Sequence, residues 1–137
     1  MGNRTPSRVG EGPPVKPSPT RYRKIVDDMR RYSAVIASTV RRGKDDFDTD
    51  IRNRATIEHY LELLGEATHK LGKSFQNENP GIPWKRLGGF RFDSAHPYDE
   101  EAAPVNYGLL WRFASDELPK IDSRLRGLRY PKDKGHD

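Results

Sequence analysis

Cysteine is absent from the 137 residues, which excludes disulfides, thiol nucleophiles, iron–sulfur clusters and thiolate zinc sites together. Long apolar runs are absent as well. No stretch of 18 apolar residues occurs, so no membrane-spanning helix is expected and no membrane partner. No signal-peptide core follows the first basic residues, so a cytoplasmic location is expected. Four scattered histidines give no dedicated ligand set, so neither a metal nor a cofactor is expected. Hydrophobic residues are only 33% of the chain and mean hydropathy is −0.96, which limits the protein to a modest core. The length suits one domain.

What is present is charge, unevenly spread. The total is +5, and residues 21–42 alone carry +5, from seven basic and two acidic side chains. Residues 43–80 carry −3 and residues 105–137 carry +2. The first and last helical segments are therefore basic and the middle is acidic. Contact with a phosphate backbone along one surface fits this distribution; solvated helix faces fit it too.

Residues 1–20 hold five prolines and three glycines and no aromatic residue. Such a segment cannot bury enough apolar surface to offset its ordering entropy and reads as a disordered tail. Residues 131–137 read as a flexible C-terminal tail, leaving 21–130 as the folded domain. There the period is helical. Ile25, Met29, Tyr32, Val35, Ile36 and Val40 mark a first helix over 21–42, ended by Gly43. KDDFDTD reads as a connection, with Asp48 or Thr49 as cap for the next helix. Ile51, Ala55, Ile57, Leu61, Leu64, Ala67, Thr68 and Leu71 mark that second helix, closed by Gly72, with loop from Gln76 to Pro83. A third, shorter helix is expected from Pro83–Trp84 to about Ala95. The fourth covers Val105 to Leu128, with Leu109, Leu110, Phe113, Leu118, Ile121, Leu125 and Leu128 inward and a kink at Pro119. Without alternating strands, the expectation is an all-α, antiparallel four-helix, up-and-down bundle.

The concentrated chemistry is RFDSAHPY at 91–98. Pro97 disfavours helical geometry at His96, which puts the imidazole at a helix end where carbonyl dipoles favour its protonated form. Arg91, His96 and Tyr98 could converge at such a bend. A guanidinium that forks onto phosphate and an imidazole that moves protons near neutral pH suit phosphodiester cleavage without metal. The same residues also have ordinary roles: Arg91 could pair with Asp93 or Asp99, and Tyr98 could simply pack. His59, His69 and His136 read as structural or surface residues. Glu58, Glu62 and Glu66, spaced along one helix face, read as a solvated stripe.

The motif resembles the Arg–four–His–one–Tyr signature of the HEPN superfamily, specifically the HepT-like toxins paired with minimal nucleotidyltransferases of the MntA type. Three further landmarks over residues 23–128 are similar to the same family. They are FDTDIRNRATIEHYLELLGEATHKL with its Gly65-Glu66-Ala67, GIPWKRLGGFR ahead of the motif, and LLWRFASDELPKI. The resemblance implies a HEPN-like bundle that forms a homodimer, with two motifs facing each other in a composite ribonuclease site. It implies RNA as substrate, Arg91 and His96 as catalytic residues, and a minimal nucleotidyltransferase antitoxin that adenylylates Tyr98. Where the family places a polar residue after the arginine, this chain has Phe92. Asp93 either substitutes for that group in a supporting role or opposes RNA phosphate.

Two functions of different class follow. One is a metal-independent endoribonuclease toxin of a type VII-like toxin–antitoxin pair. The alternative is a non-catalytic nucleotide- or partner-binding subunit of a nucleotidyltransferase complex, in which Arg91 and His96 hold a phosphate without cleaving. A plain helical interaction module is the third reading.

Overall fold

The computed structural model describes residues 18–90 and 106–132. Among the described residues every regular element is helical, and the all-α bundle expected from the sequence is what forms. Helix α1 spans Pro19–Val40. Ser18 caps it, its Oγ accepting from Arg21 N–H at 3.1 Å, and Pro19 occupies the first turn, where no backbone donor is needed. Its buried stripe contains Ile25, Met29 and Ile36 as expected, and adds Tyr22, Val26 and Ser33.

Gly43, at φ +101°, turns the chain straight into a helix that the sequence reading missed: α2, Lys44–Thr49. KDDFDTD is thus not a plain connection. Phe47 is buried, and its burial draws the surrounding turn and a half into a helix. Two acidic residues in the first turn suit the positive end of that helix. The cap of the next helix is neither Asp48 nor Thr49 but Asp50, whose Oδ1 accepts from Arg52 N–H at 2.9 Å.

Helix α3, Ile51–Glu78, breaks at Gly72 (φ +80°, ψ 168°) but does not end there. That backbone region is open essentially to glycine alone. Beyond the break, buried Phe75 holds a further turn and a half against the core, and Gln76 Nε2 donates to the Thr68 carbonyl at 3.0 Å across the interruption. The loop is therefore confined to Asn79–Pro83. Ile51 and Ala55, both expected inward, are exposed, because the buried face begins only at Ile57.

Helix α4 is five residues, Trp84–Gly88. The expected run to Ala95 stops at the Gly88–Gly89 pair, two residues of low helix propensity, and Gly89 and Phe90 form a turn. Helix α5, Tyr107–Arg112, passes through a π turn, Phe113–Glu117, into α6, Leu118–Leu125. In the π turn Leu118 N–H donates to the Phe113 carbonyl, five residues back. Pro119, where a kink was expected, has no N–H to donate and sits in the first turn of α6 directly after this widened turn. Leu109 is exposed rather than inward.

Ring contacts fix the directions. Tyr22, at the start of α1, stacks on Phe75 near the end of α3 at 4.7 Å, and Tyr32 meets Tyr60 midway at 5.9 Å. Helices α1 and α3 are therefore antiparallel. Arg30 of α1 faces Asp122 of α6 at 3.9 Å, and Arg23 lies 4.0 Å over the ring of Tyr130, so α6 also runs against α1. At the opposite end Phe47 of α2 meets Trp111 of α5 at 5.1 Å. Among the described residues, one core of 21 buried hydrophobic residues joins all the helices.

Candidate functional site

Arg91, Asp93, His96 and Tyr98 lie outside the described residues, and the site is approached through the frame on either side of them. On the upstream side, Trp84 is buried with its ring edge-on to Phe75 at 6.2 Å. Its Nε1–H donates to the Asn79 carbonyl at 2.8 Å. Leu87 is fully buried, and Arg86 pairs with Glu117 of the π turn. Phe90 follows, with its ring 4.6 Å from that of Phe113. The last described residue before Arg91 is thus fastened to the π turn, an irregularity that recurs at functional sites.

On the downstream side Asn106 caps α5, its Oδ1 accepting from Leu109 N–H at 3.1 Å. Tyr107 sits edge-on to Phe47 at 6.3 Å, and the Arg54 guanidinium lies 5.3 Å from the Tyr107 ring. Arg54 is itself anchored, with Nη1 donating to the carbonyls of Phe47 at 3.1 Å and Asp48 at 2.7 Å. Seven residues separate Asn106 from Phe113, about 10 Å of helix at 1.5 Å per residue. Both ends of the segment 91–105 are therefore held by the same stretch of the last helix.

One histidine assigned a structural role gains a different position. A Cβ at Gly88 would stand 3.6 Å from His69 Nε2, so exposed His69 lies against the chain three residues ahead of Arg91. No spacing rule could signal this, since 22 residues separate His69 from Arg91. His59 is exposed, with its ring edge-on to that of Tyr60 at 5.2 Å. Glu66 borders a shallow depression of about 100 Å³ with Arg21, Lys24, Asp28 and Lys70, where carboxylates and cations are interleaved. Lys24 donates to Asp28 at 2.8 Å and holds that carboxyl below the usual carboxylate range, with Arg31 adding to the effect. Among the described residues no three His, Asp or Glu side chains gather as metal ligands, and no helix is long and apolar enough to cross a membrane.

Comparison with known proteins resolves the family. The family described as "Ribonuclease HepT-like" matches residues 25–128, from the first turns of α1 to just beyond α6. The chain belongs to the HepT-like ribonuclease family. Among HepT-like relatives, "Putative RNase MJ1380" of Methanocaldococcus jannaschii is 32% identical over 101 residues, covering 74% of this chain and 89% of that protein. "Putative RNase TTE0752" of Caldanaerobacter subterraneus subsp. tengcongensis is 31% identical, over 61% of this chain and 71% of its own. "Probable ribonuclease HepT" of Thermococcus cleftensis is 26% identical, over 62% and 74% respectively. No solved structure matches the chain. The HepT-like match contains the whole RFDSAHPY motif and both ends of the frame that brackets it.

Proposed function

We propose that the chain is a metal-independent endoribonuclease toxin that works as a cytoplasmic homodimer and is restrained by a minimal nucleotidyltransferase antitoxin. The observation that carries this reading is the HepT-like match across residues 25–128, because it encloses an arginine, a histidine and a tyrosine in the spacing of the signature that the motif resembles. His96 takes the proton from a ribose 2′-hydroxyl, and the resulting oxyanion attacks the adjacent phosphorus. The bond to the 5′-oxygen breaks, and that oxygen leaves with the proton that the His96 imidazolium gives back. The products are a 2′,3′-cyclic phosphate and a 5′-hydroxyl. Arg91 forks onto the phosphate as negative charge builds on its oxygens. Asp93 supports the arginine in the place of the polar group that Phe92 displaces.

Adenylylation of Tyr98 by the partner enzyme would put a bulky phosphodiester beside Arg91 and His96. That phosphate competes with RNA for the same donors, so the modified chain is silent. Cleavage of single-stranded RNA in EDTA, lost in His96→Ala, tests the activity. An adenylate mass on Tyr98 after co-expression with the nucleotidyltransferase tests the restraint. Phe92 and the acidic run Asp99-Glu100-Glu101 favour the second reading, a non-catalytic nucleotide- or partner-binding subunit. That reading requires RNA or nucleotide binding with no cleavage by the unmodified chain.

A further inference from the structure

At the end of the bundle where α1 begins, the loop after α3 and the segment after α6 enclose a cleft of about 460 Å³. Its walls are pinned by one side chain. Buried Asn79 donates from Nδ2 to the carbonyls of Phe75 at 3.1 Å and Arg129 at 3.0 Å, and its Oδ1 accepts from Arg129 N–H at 2.7 Å. Ile82 and Leu128 provide apolar lining, and Arg124 and Arg129 stand against Glu78 as the single acid of the lining. Arg124 is aimed by a bond from Nη1 to the Gly81 carbonyl at 3.0 Å. The side chain of Arg129 makes no hydrogen bond or ion pair among the described residues, since only its backbone meets Asn79. Arg126, two residues after Arg124 in the chain, is exposed, and Arg23 lies over the ring of Tyr130, the residue after Arg129.

We propose that this cleft is a binding subsite for single-stranded RNA, with phosphates on Arg124 and Arg129 and a ribose or base against Ile82 and Leu128. Cations along a groove with an apolar floor match a strand that repeats phosphate and a flat, weakly polar face. The net positive lining supplies the charge complementarity. The placement also fits, since only α4 and its flanking turns separate Ile82 from Phe90, the residue before Arg91. A strand seated here lies beside the short element that delivers the motif. The inference rests on the reading of the chain as an RNA-cleaving protein and extends the substrate contact beyond the motif.

The test measures binding apart from cleavage. Fluorescence anisotropy with a labelled 2′-O-methyl oligonucleotide, which has no 2′-hydroxyl to react, reads affinity alone. Arg124→Glu with Arg129→Glu should weaken binding at least tenfold. It should also lower the slope of log affinity against log salt by about 1.4, at roughly 0.7 per phosphate contact on a single strand. Arg129→Glu alone breaks no intramolecular bond seen among the described residues and should weaken binding at least threefold, which keeps the test valid if the double variant folds poorly. Arg41→Glu with Arg42→Glu, at the far end of α1, changes net charge equally and should leave affinity within twofold. Equal weakening in this control would reduce the effect to net charge and overturn the subsite. Unchanged affinity in the cleft variants would overturn it too and leave its cations to an acidic protein surface. Cleft-dependent binding without cleavage of ordinary RNA would sink the catalytic reading and leave the subsite standing.

Discussion

The ring of Phe90 lies 4.6 Å from that of Phe113 at an interplanar angle of 48°, which ties the residue before Arg91 to the π turn of the last helix. The contact is the final fixed point upstream of the motif. Its other end, at Asn106, belongs to the same helical run. Phe90→Ala should cost about 1–3 kcal/mol of stability, less than a fully buried phenylalanine because Phe90 is only half-buried. RNA cleavage at a temperature where the variant is folded should fall by a larger factor than Phe90→Leu produces, since leucine keeps most of the volume. Urea denaturation and initial cleavage rates, measured on the same preparations, separate the two effects. Equal rates for Phe90→Ala and the parent chain would show that the motif needs no such anchor.

Asn79 joins three parts of the chain through its side chain and backbone. Besides its bonds to Phe75 and Arg129, its carbonyl accepts from Trp84 Nε1. Asn79→Ala leaves the Arg129 N–H and carbonyl without partners in a partly buried place, and orphaned groups of that kind cost about 1–3 kcal/mol each. A loss of about 2–4 kcal/mol in urea is expected, with amide exchange fastest at Arg129. An unchanged midpoint would mean that the C-terminal segment is not held by this side chain.

Acid should loosen the protein through two carboxylates. The Arg52 side-chain and backbone donors hold the Asp50 carboxyl below its ordinary value, and Lys24 does the same at Asp28. Their contributions are complete above the unfolded value near 4 and are lost as pH falls through the lowered folded values. Alkali acts through Tyr130, whose phenol is pushed up by burial. That contribution is complete below the unfolded value near 10 and is lost as pH rises through the higher folded one. Thermal melts from pH 2 to 11 should show a plateau with both shoulders. Asp50→Asn should flatten the acid shoulder, and Tyr130→Phe the alkaline one.

Ile51 is 68% exposed, Leu109 56% and Tyr107 40%. Ile51 and Arg54 are three residues apart on α3 and so share a face, and Arg54 faces Tyr107. Exposed apolar side chains thus gather at the end of the bundle where the chain leaves the motif segment. For a homodimer built on this patch, sedimentation should give about 31 kDa, twice the 15.7 kDa of one chain. Leu109→Arg with Ile51→Asp should shift it toward the single-chain mass. A parent chain that sediments at the single-chain mass at micromolar concentration contradicts the dimer.

Most of the bundle was legible because its helices carry a long apolar stripe at helical spacing. The buried residues in the middle of α3 are largely those the spacing marks; in α1 Ile25, Met29 and Ile36 are buried as marked, while Tyr32, Val35 and Val40 are only partly buried. The departures have local causes. Phe47 nucleates α2 inside a run of aspartates, where a single buried ring outweighs a composition that reads as a connection. Phe75 pulls the chain back into a helix after Gly72, although a glycine at positive φ is the ordinary stop signal. Gly88–Gly89 ends α4 early, against an expectation drawn from the Pro83 start. Leu109 and Ile51 lie at helix beginnings, where the stripe has not yet met a partner, and no single-chain periodicity distinguishes such positions from the core. The motif itself was legible as residue types and spacing. His69 beside Gly88 and the cleft at Arg124 and Arg129 were not, because each depends on segments brought together from distant parts of the chain.

The most direct measurement is the chemical identity of the RNA ends released by the purified, unmodified chain with EDTA present. The account predicts 2′,3′-cyclic phosphate and 5′-hydroxyl ends from ordinary RNA and no product from a 2′-O-methyl strand. Rates should fall on the order of a hundredfold or more in His96→Ala and in Arg91→Ala. Ends bearing 3′-hydroxyl and 5′-phosphate, a requirement for added metal, or undiminished cleavage by His96→Ala would contradict it.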